Sequence, residues 1–437
     1  MATSERTPVA DLQERPPAVA EAPADRLTRL RQSPLAQTIG IRSFRYYWTS
    51  TFFYFLVFGT QRFTFIWLVL ELSDNAALAG VTAFSLGIPA FFITLPAGAY
   101  ADRLNRKTMV IWTNISGALV SIAIAGLIWT DTITVTLAIV MALATGVTTA
   151  ATQPPLTAMI PTIVPQERLM NGIVLRTMGQ NLAMVLGATL GGVVIDVWNI
   201  GGAFAILTVA YGLSTVLMFG VRSVDVPTPP ATAERLNLMT SVREGLSFIY
   251  SSPGMLGLIV LLATLGFVML GPVFVLVPEI AREELDQNAT GAAILFAVTS
   301  VGMFSMSVVL ASMSNLRNKG AILLITLVIG GAIVIGIGAS QWYVVTAIMM
   351  FLWGLGGGIM VNLNQTLAQS HTPDEMMGRV MSVVTLAIAG MMPLGSLAAG
   401  TAAIWIGAGE WLMICGAALI LIGAVLWVRL PALREME

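Results

Sequence analysis

Residues 98–107 read GAYADRLNRK and sit between two long stretches with almost no charge. Asp102, Arg103, Arg106 and Lys107 place one acid and three bases within six positions of a chain that is 56% apolar and only 10% charged over 437 residues. An ordinary soluble protein is about 25% charged. A soluble fold of this length needs far more polar surface, so hydrocarbon is the solvent for most of this one. The mean hydropathy of +0.84 agrees. A net charge of -1 argues against nucleic acid as a partner, because phosphate-neutralising domains are strongly basic. A single cysteine, Cys415, forms no internal disulfide, and it lies in an apolar run as a small packing residue. With one histidine as well, and no phosphate-binding glycine loop, an integral-membrane enzyme is disfavoured and no metal or cofactor is expected.

On either side of that loop lie twelve runs of about 20 apolar residues: 46–70, 78–101, 108–129, 133–156, 172–195, 201–221, 254–278, 289–313, 320–339, 343–367, 379–405 and 410–429. They are too long and unbroken for barrel strands, so an all-α integral membrane protein is expected. Lys and Arg gather in alternate connections, from the seven arginines before the first run to Arg429 and Arg434, while Glu71, Asp74, Asp131 and residues 279–286 hold acids on the other side. That imbalance puts both termini in the cytoplasm.

Residues 1–33 have the Pro, Ala and charged composition of a disordered tail, with no apolar leader. Residues 34–222 form a first group of six helices, 223–250 a Pro-rich and then polar cytoplasmic linker, and 251–437 a second group of six. A shift of 208 positions aligns Pro165 with Pro373, Glu167 with Glu375, Gly187 with Gly395 and Gly192 with Gly400. The chain therefore reads as a duplication, and parallel repeats of six helices are a transporter architecture.

On this frame GAYADRLNRK resembles the loop signature G-x-x-x-D-R-x-G-R-K/R of the major facilitator superfamily, matched at Gly98, Asp102, Arg103, Arg106 and Lys107. Asn105 stands where that family has Gly, and Asn tolerates the left-handed backbone that such a turn would need. The stretches QRFTFIWLVLELSDN (61–75), IPTIVPQERLMNG (160–172), NQTLAQSHTPDEMMGRVMS (364–382) and MMPLGSLAAG (391–400) resemble the enterobactin-exporter and macrolide-efflux branch. The resemblance implies two pseudo-symmetric bundles in a plasma membrane, the bacterial inner membrane. It also implies a monomer that exports a drug-like, siderophore or metabolite molecule by proton antiport. An importer of a small polar solute and a receptor without flux are the alternatives.

Asp102 closes the second helix, where the helix dipole disfavours an acid. The resemblance implies that it faces the start of the eleventh helix and Arg379, as a latch holding the cytoplasmic side shut. Asp102→Asn should keep expression and reduce transport; unchanged efflux at equal protein level would remove the latch. The second half keeps only a worn copy, ASMSNLRNKG (311–320), with Asn315 in the acid's place. Gly187, Gly191, Gly192, Gly395 and Gly400 are read as sites of close helix packing.

Arg62 lies inside the first run, where a base costs about 2.5–3.5 kcal/mol at the bilayer centre. A cavity or outer-gate role is therefore expected, with Glu279 or Asp196 as partner. Gln61, Gln180, Asn181, Asn362, Asn364 and Gln365 are candidate cavity polar groups, with Trp67 and Trp353 as stacking surfaces. His371, the sole histidine, falls in a cytoplasmic loop.

Overall fold

The computed structural model describes residues 34–101, 104–222, 246–313, 316–373 and 376–437. The tail 1–33, linker residues 223–245, Asp102, Arg103 and Asn315 lie outside the described residues. Twelve helices long and apolar enough to span a bilayer are present, and no strand occurs among the described residues. They are α1 (Arg42–Ser73), α2 (Ala76–Gly87 and Pro89–Ala101), α3 (Arg106–Trp129), α4 (Val135–Ala158), α5 (Leu169–Trp198) and α6 (Ile200–Phe219). The second set is α7 (Pro253–Glu283), α8 (Ala289–Ser312), α9 (Lys319–Ala339), α10 (Tyr343–Ser370), α11 (Met377–Ile406) and α12 (Ala408–Arg429).

Within the first set α1 packs on α5 and α6, α3 on α4 and α6, and α2 on α4. Within the second α8 packs on α10, α9 on α10 and α12, and α11 on α7. The two sets meet chiefly where α2 crosses α11 and α5 crosses α8.

Asn and Asp make the sharp reversals between consecutive helices. Asp74 ends α1 in the left-handed region (φ 46°) and returns its N–H to the Leu70 carbonyl. Asn75 then caps α2, its Oδ1 accepting from the N–H groups of Ala77 and Leu78 at 2.9 and 3.3 Å. Asn199 and Asn288 cap α6 and α8 in the same way, through Gly202 and Gly291.

Asn105 departs from the expected turn. Its backbone is extended (φ −65°, ψ 111°), and its Oδ1 caps α3 by accepting from Thr108 N–H at 3.2 Å. An asparagine here supplies the cap that a glycine lacks, so left-handed geometry is not what it preserves. The corresponding Asn318, just before α9, does adopt that geometry (φ 56°).

α7 is interrupted by a π-helical segment, Leu265–Leu270. Pro272 follows it and has no N–H to return to Val268, so the regular ladder cannot continue there. The widened turn presses Gly266 under the Ile388 carbonyl of α11, where a Cβ would lie only 2.7 Å away.

Candidate functional site

The two helix sets are shut against each other at the end where α1 finishes and α2 begins, here called the far end. Gly192 of α5 lies against α8, and a Cβ there would meet the Ala289 carbonyl and the Ala293 side chain at 2.5 Å. Gly400 of α11 lies against Ala76 and Gly80 of α2, and a Cβ on Gly80 would meet the Ser396 carbonyl at 2.7 Å. These glycines are partners under the 208-residue shift, and each packs on the opposite set. Gly187 and Gly395, the other shifted pair, pack inside their own sets, on Leu56 and Thr60 of α1 and on Phe267 of α7. Gly191 also lies on α1, with Thr60 Cγ2 2.8 Å from where its Cβ would be. The repeat thus assigns one glycine pair to folding each half and one to bringing the halves together.

Two polar links cross the seam at the same end. Asp196, at the end of α5, accepts from the first N–H groups of α8, Ala289 at 3.2 Å and Thr290 at 2.8 Å. A carboxylate at a helix N-terminus meets both unpaired donors and the positive end of the dipole. Asp74 forms an ion pair with Arg282 of α7.

Arg62 lies about two-thirds of the way along α1 and reaches across to the second set, and its partners correct the expectation. Its guanidinium sits 4.8 Å over the Phe274 ring and points to Ser396 Oγ at 3.5 Å and Met392 Sδ at 3.8 Å. Neither Glu279 nor Asp196 pairs with it: Asp196 is engaged with α8, and the buried Oε2 of Glu279 has no hydrogen-bond partner among the described residues. The chain reserves its carboxylates for helix ends and leaves Arg62 to an aromatic face and a hydroxyl.

Below the seam, towards the end where α7 and α11 begin, a cavity of about 430 Å³ opens among α7, α8, α10 and α11. Leu265, Met269 and Leu270 of the π segment form part of its wall, facing Met303, Met360 and Met381. The volume falls in the range of small-molecule pockets, about 300–1,000 Å³. Trp353, Asn364 and Gln365, read from the sequence as candidate cavity groups, are among the residues that line it. Asn362 does not, because its Nδ2 donates to Ser307 Oγ at 3.0 Å and to the Gly358 carbonyl, joining α10 to α8.

The other expected cavity residues lie outside this pocket's wall. Gln61 is buried in the first set, its Oε1 3.4 Å from the Tyr211 hydroxyl, and Trp67 stacks on Phe63 with centroids 5.8 Å apart. Gln180 is half-buried and Asn181 exposed on α5.

Two of the loop residues bond within their own half. Arg106 donates to the Ala158 carbonyl at the end of α4 (2.8 Å), and Lys107 donates to the carbonyls of Phe219 and Val221 at the end of α6 (2.9 and 2.8 Å). Both neutralise helix C-termini of their own half, so these contacts do not latch one half to the other. Gly98 faces Pro154 of α4 with room for a Cβ at 3.9 Å. Arg379 is half-buried, with Nη1 3.6 Å from Met376 Sδ; its expected partner Asp102 lies outside the described residues.

The residues missed in the sequence are Asp74, Arg282 and the methionines of the pocket. Arg282 carried a signal: it is one of only two bases placed outside the positive side of the topology.

A duplicated twelve-helix bundle, shut at one end and pocketed towards the other, is the form of a membrane transporter. The sequence model of the Major Facilitator Superfamily matches residues 47–396, and the chain belongs to that family. It is 26% identical to the multidrug efflux pump Tap of Mycobacterium tuberculosis over 398 residues, covering 87% of this chain and 91% of that one. It is 22% identical to macrolide efflux protein A of Streptococcus pyogenes over 384 residues, covering 85% and 92%. The fold matches a bacterial homologue of the human lysosomal transporter Spinster, in an inward-facing and occupied conformation, with TM-score 0.69 and 14% identity over 92% of this chain and 98% of that one. As a member of this family the chain is a transporter of small molecules and not an enzyme.

Proposed function

We propose that this protein is a secondary active exporter of drug-like or metabolite molecules, working by alternating access and driven by proton antiport. The observation that carries the reading is the pairing of a glycine-tight, carboxylate-capped far end with a pocket on the opposite side. Lys and Arg favour the pocketed end as cytoplasmic, which makes this the state that loads from inside a bacterial plasma membrane. Efflux proteins among the relatives support the direction. Glu279, with one buried oxygen lacking a partner, is the carboxyl the coupling would use. We take the working unit to be a monomer, since one chain supplies the whole pocket wall.

Purified protein in proteoliposomes under an imposed pH gradient tests the reading with an uncharged aromatic drug as solute, uptake into protein-free vesicles being subtracted. Vesicles with an acidic interior should accumulate it, and accumulation should vanish when a protonophore collapses the gradient. Movement in the same direction as the protons would make the protein an importer, and no flux of any solute would leave a receptor.

Asp196→Asn isolates the seam. The carboxylate at the α8 N-terminus is worth about 1 kcal/mol, or about fivefold in the balance between states. Spin labels at Asp74→Cys and Arg282→Cys should therefore report about fivefold more of the separated form in Asp196→Asn. An unchanged distance distribution would take Asp196 out of the closure.

A further inference from the structure

The pocket among α7, α8, α10 and α11 is lined by no Asp, Glu, Lys or Arg among the described residues. A charged ligand entering it would surrender its hydration with no counter-charge in return. Polar groups in the wall are few, and some are already occupied. The Thr299 hydroxyl donates to the Leu295 carbonyl and the Thr385 hydroxyl to the Met381 carbonyl, each within its own helix.

Two buried groups remain available. Asn364 is 4% exposed, and neither its Nδ2 nor its Oδ1 has a hydrogen-bond partner among the described residues. Trp353 is 7% exposed, and its indole Nε1 likewise has none. A buried amide with a donor and an acceptor both unpaired is costly in a folded protein, and a bound molecule that pairs with it removes that cost. The two residues are eleven positions apart on α10, three turns along one helix face and about 16 Å between backbones. The wall between and around them is mostly Leu, Ile, Val and Met, and unbranched thioethers let it conform to more than one shape.

Resting on the reading of the chain as a small-molecule transporter, we infer that this pocket binds an uncharged, elongated apolar molecule bearing an amide-like group. Asn364 grips that group through paired N–H···O and C=O···H–N bonds. Trp353 offers a second donor to an acceptor at the other end. The selectivity is for neutral over charged forms of one skeleton, since shape alone is loosely specified by the methionines.

Three probes of matched shape test this: para-phenylbenzamide, para-phenylbenzoate and para-phenylbenzamidinium, with para-methylbiphenyl as the apolar reference. Each is radiolabelled and dialysed to equilibrium against the purified full chain in detergent micelles, with empty micelles subtracted. The amide should bind at least about tenfold more tightly than the anion or the cation, the ratio that one unmade buried hydrogen-bond pair produces. Asn364→Leu should lose about that factor for the amide and nothing for para-methylbiphenyl. Asn364→Asp, which retains the side-chain shape if Leu is not tolerated, should turn the preference towards the amidinium. The inference is overturned if either charged probe binds as well as the amide, if the Asn364 variants leave the order of affinities unchanged, or if no probe binds the unaltered protein. Selective amide binding without flux in proteoliposomes would refute the exporter and keep the pocket. Flux without selective amide binding would do the reverse.

Discussion

Leucine at both Gly192 and Gly400 is expected to abolish transport while leaving the protein folded in the membrane. Each glycine lies where a helix of one set touches the backbone of a helix from the other, and even a Cβ at Gly192 would come within 2.5 Å of the Ala289 carbonyl. Forcing a side chain into such a contact costs about 1–3 kcal/mol, and the two sites are far enough apart for their costs to add. A combined penalty of about 2 kcal/mol or more depletes the state closed at the far end by at least about 30-fold. Folding within each set does not use these contacts. Leucine at Gly187 or Gly395 should behave differently, lowering the yield of membrane-inserted protein, because those glycines pack α5 on α1 and α11 on α7. Spin labels at Asp74→Cys and Arg282→Cys give the readout, and Cys415→Ser is the only background change needed. A double variant that still closes the far end, or still transports, would contradict the role given to the seam.

Arg62→Ala should come close to eliminating transport with expression held or raised. A guanidinium inside a spanning helix carries a penalty of about 2.5–3.5 kcal/mol, and here an aromatic face, one hydroxyl and one thioether compensate it, without a carboxylate. Alanine removes that penalty, so folding does not suffer. It also removes a long side chain of α1 that bridges to α7 and α11 together. Lysine at the same position would keep the charge and lose the planar stacking on Phe274, giving an intermediate rate. Flux per folded protein, compared among Arg62, lysine and alanine, decides the matter; full activity in the alanine variant would make Arg62 a passive packing residue.

The far-end ion pair counts for less. The side chains of Arg282 and Asp74 are 27% and 71% exposed, and such pairs contribute about 0–1 kcal/mol. Backbone proximity at the glycines, more than charge, decides how tightly this end shuts.

The spanning helices were legible because hydrocarbon imposes a length and a composition on every crossing, and the runs at 46–70 and 343–367 differ from α1 and α10 only by polar turns at their ends. The glycine pairs were legible as a repeat, although only the structure separates those that build a half from those that join the halves. Partners across the seam were not legible, because which turn of α1 faces which turn of α11 is set by how two independently folded sets dock. Asn362 and Asn364 make the same point within one helix. Two positions apart, they point to opposite sides of α10, one tying α10 to α8 and the other facing the cavity. Composition makes both polar; only the neighbours decide their use. In the loop that opened the problem, Arg106 and Lys107 proved to be caps for α4 and α6, a role that a topology rule already satisfied by their charge does not distinguish.

Asp74 and Arg282 stand 208 residues apart, the same interval that superposes the two halves of the sequence. Under the shift that aligns the halves they are one position seen twice, brought face to face at the far end. Were the halves identical subunits, that position would confront itself, acid against acid or base against base, and like charges would push the end open. Joining the subunits in a single chain frees each copy to take the opposite sign. The two halves have thereby become each other's complement and not each other's substitute: an assembly of two first halves, or of two second halves, would place repulsion where this chain places attraction.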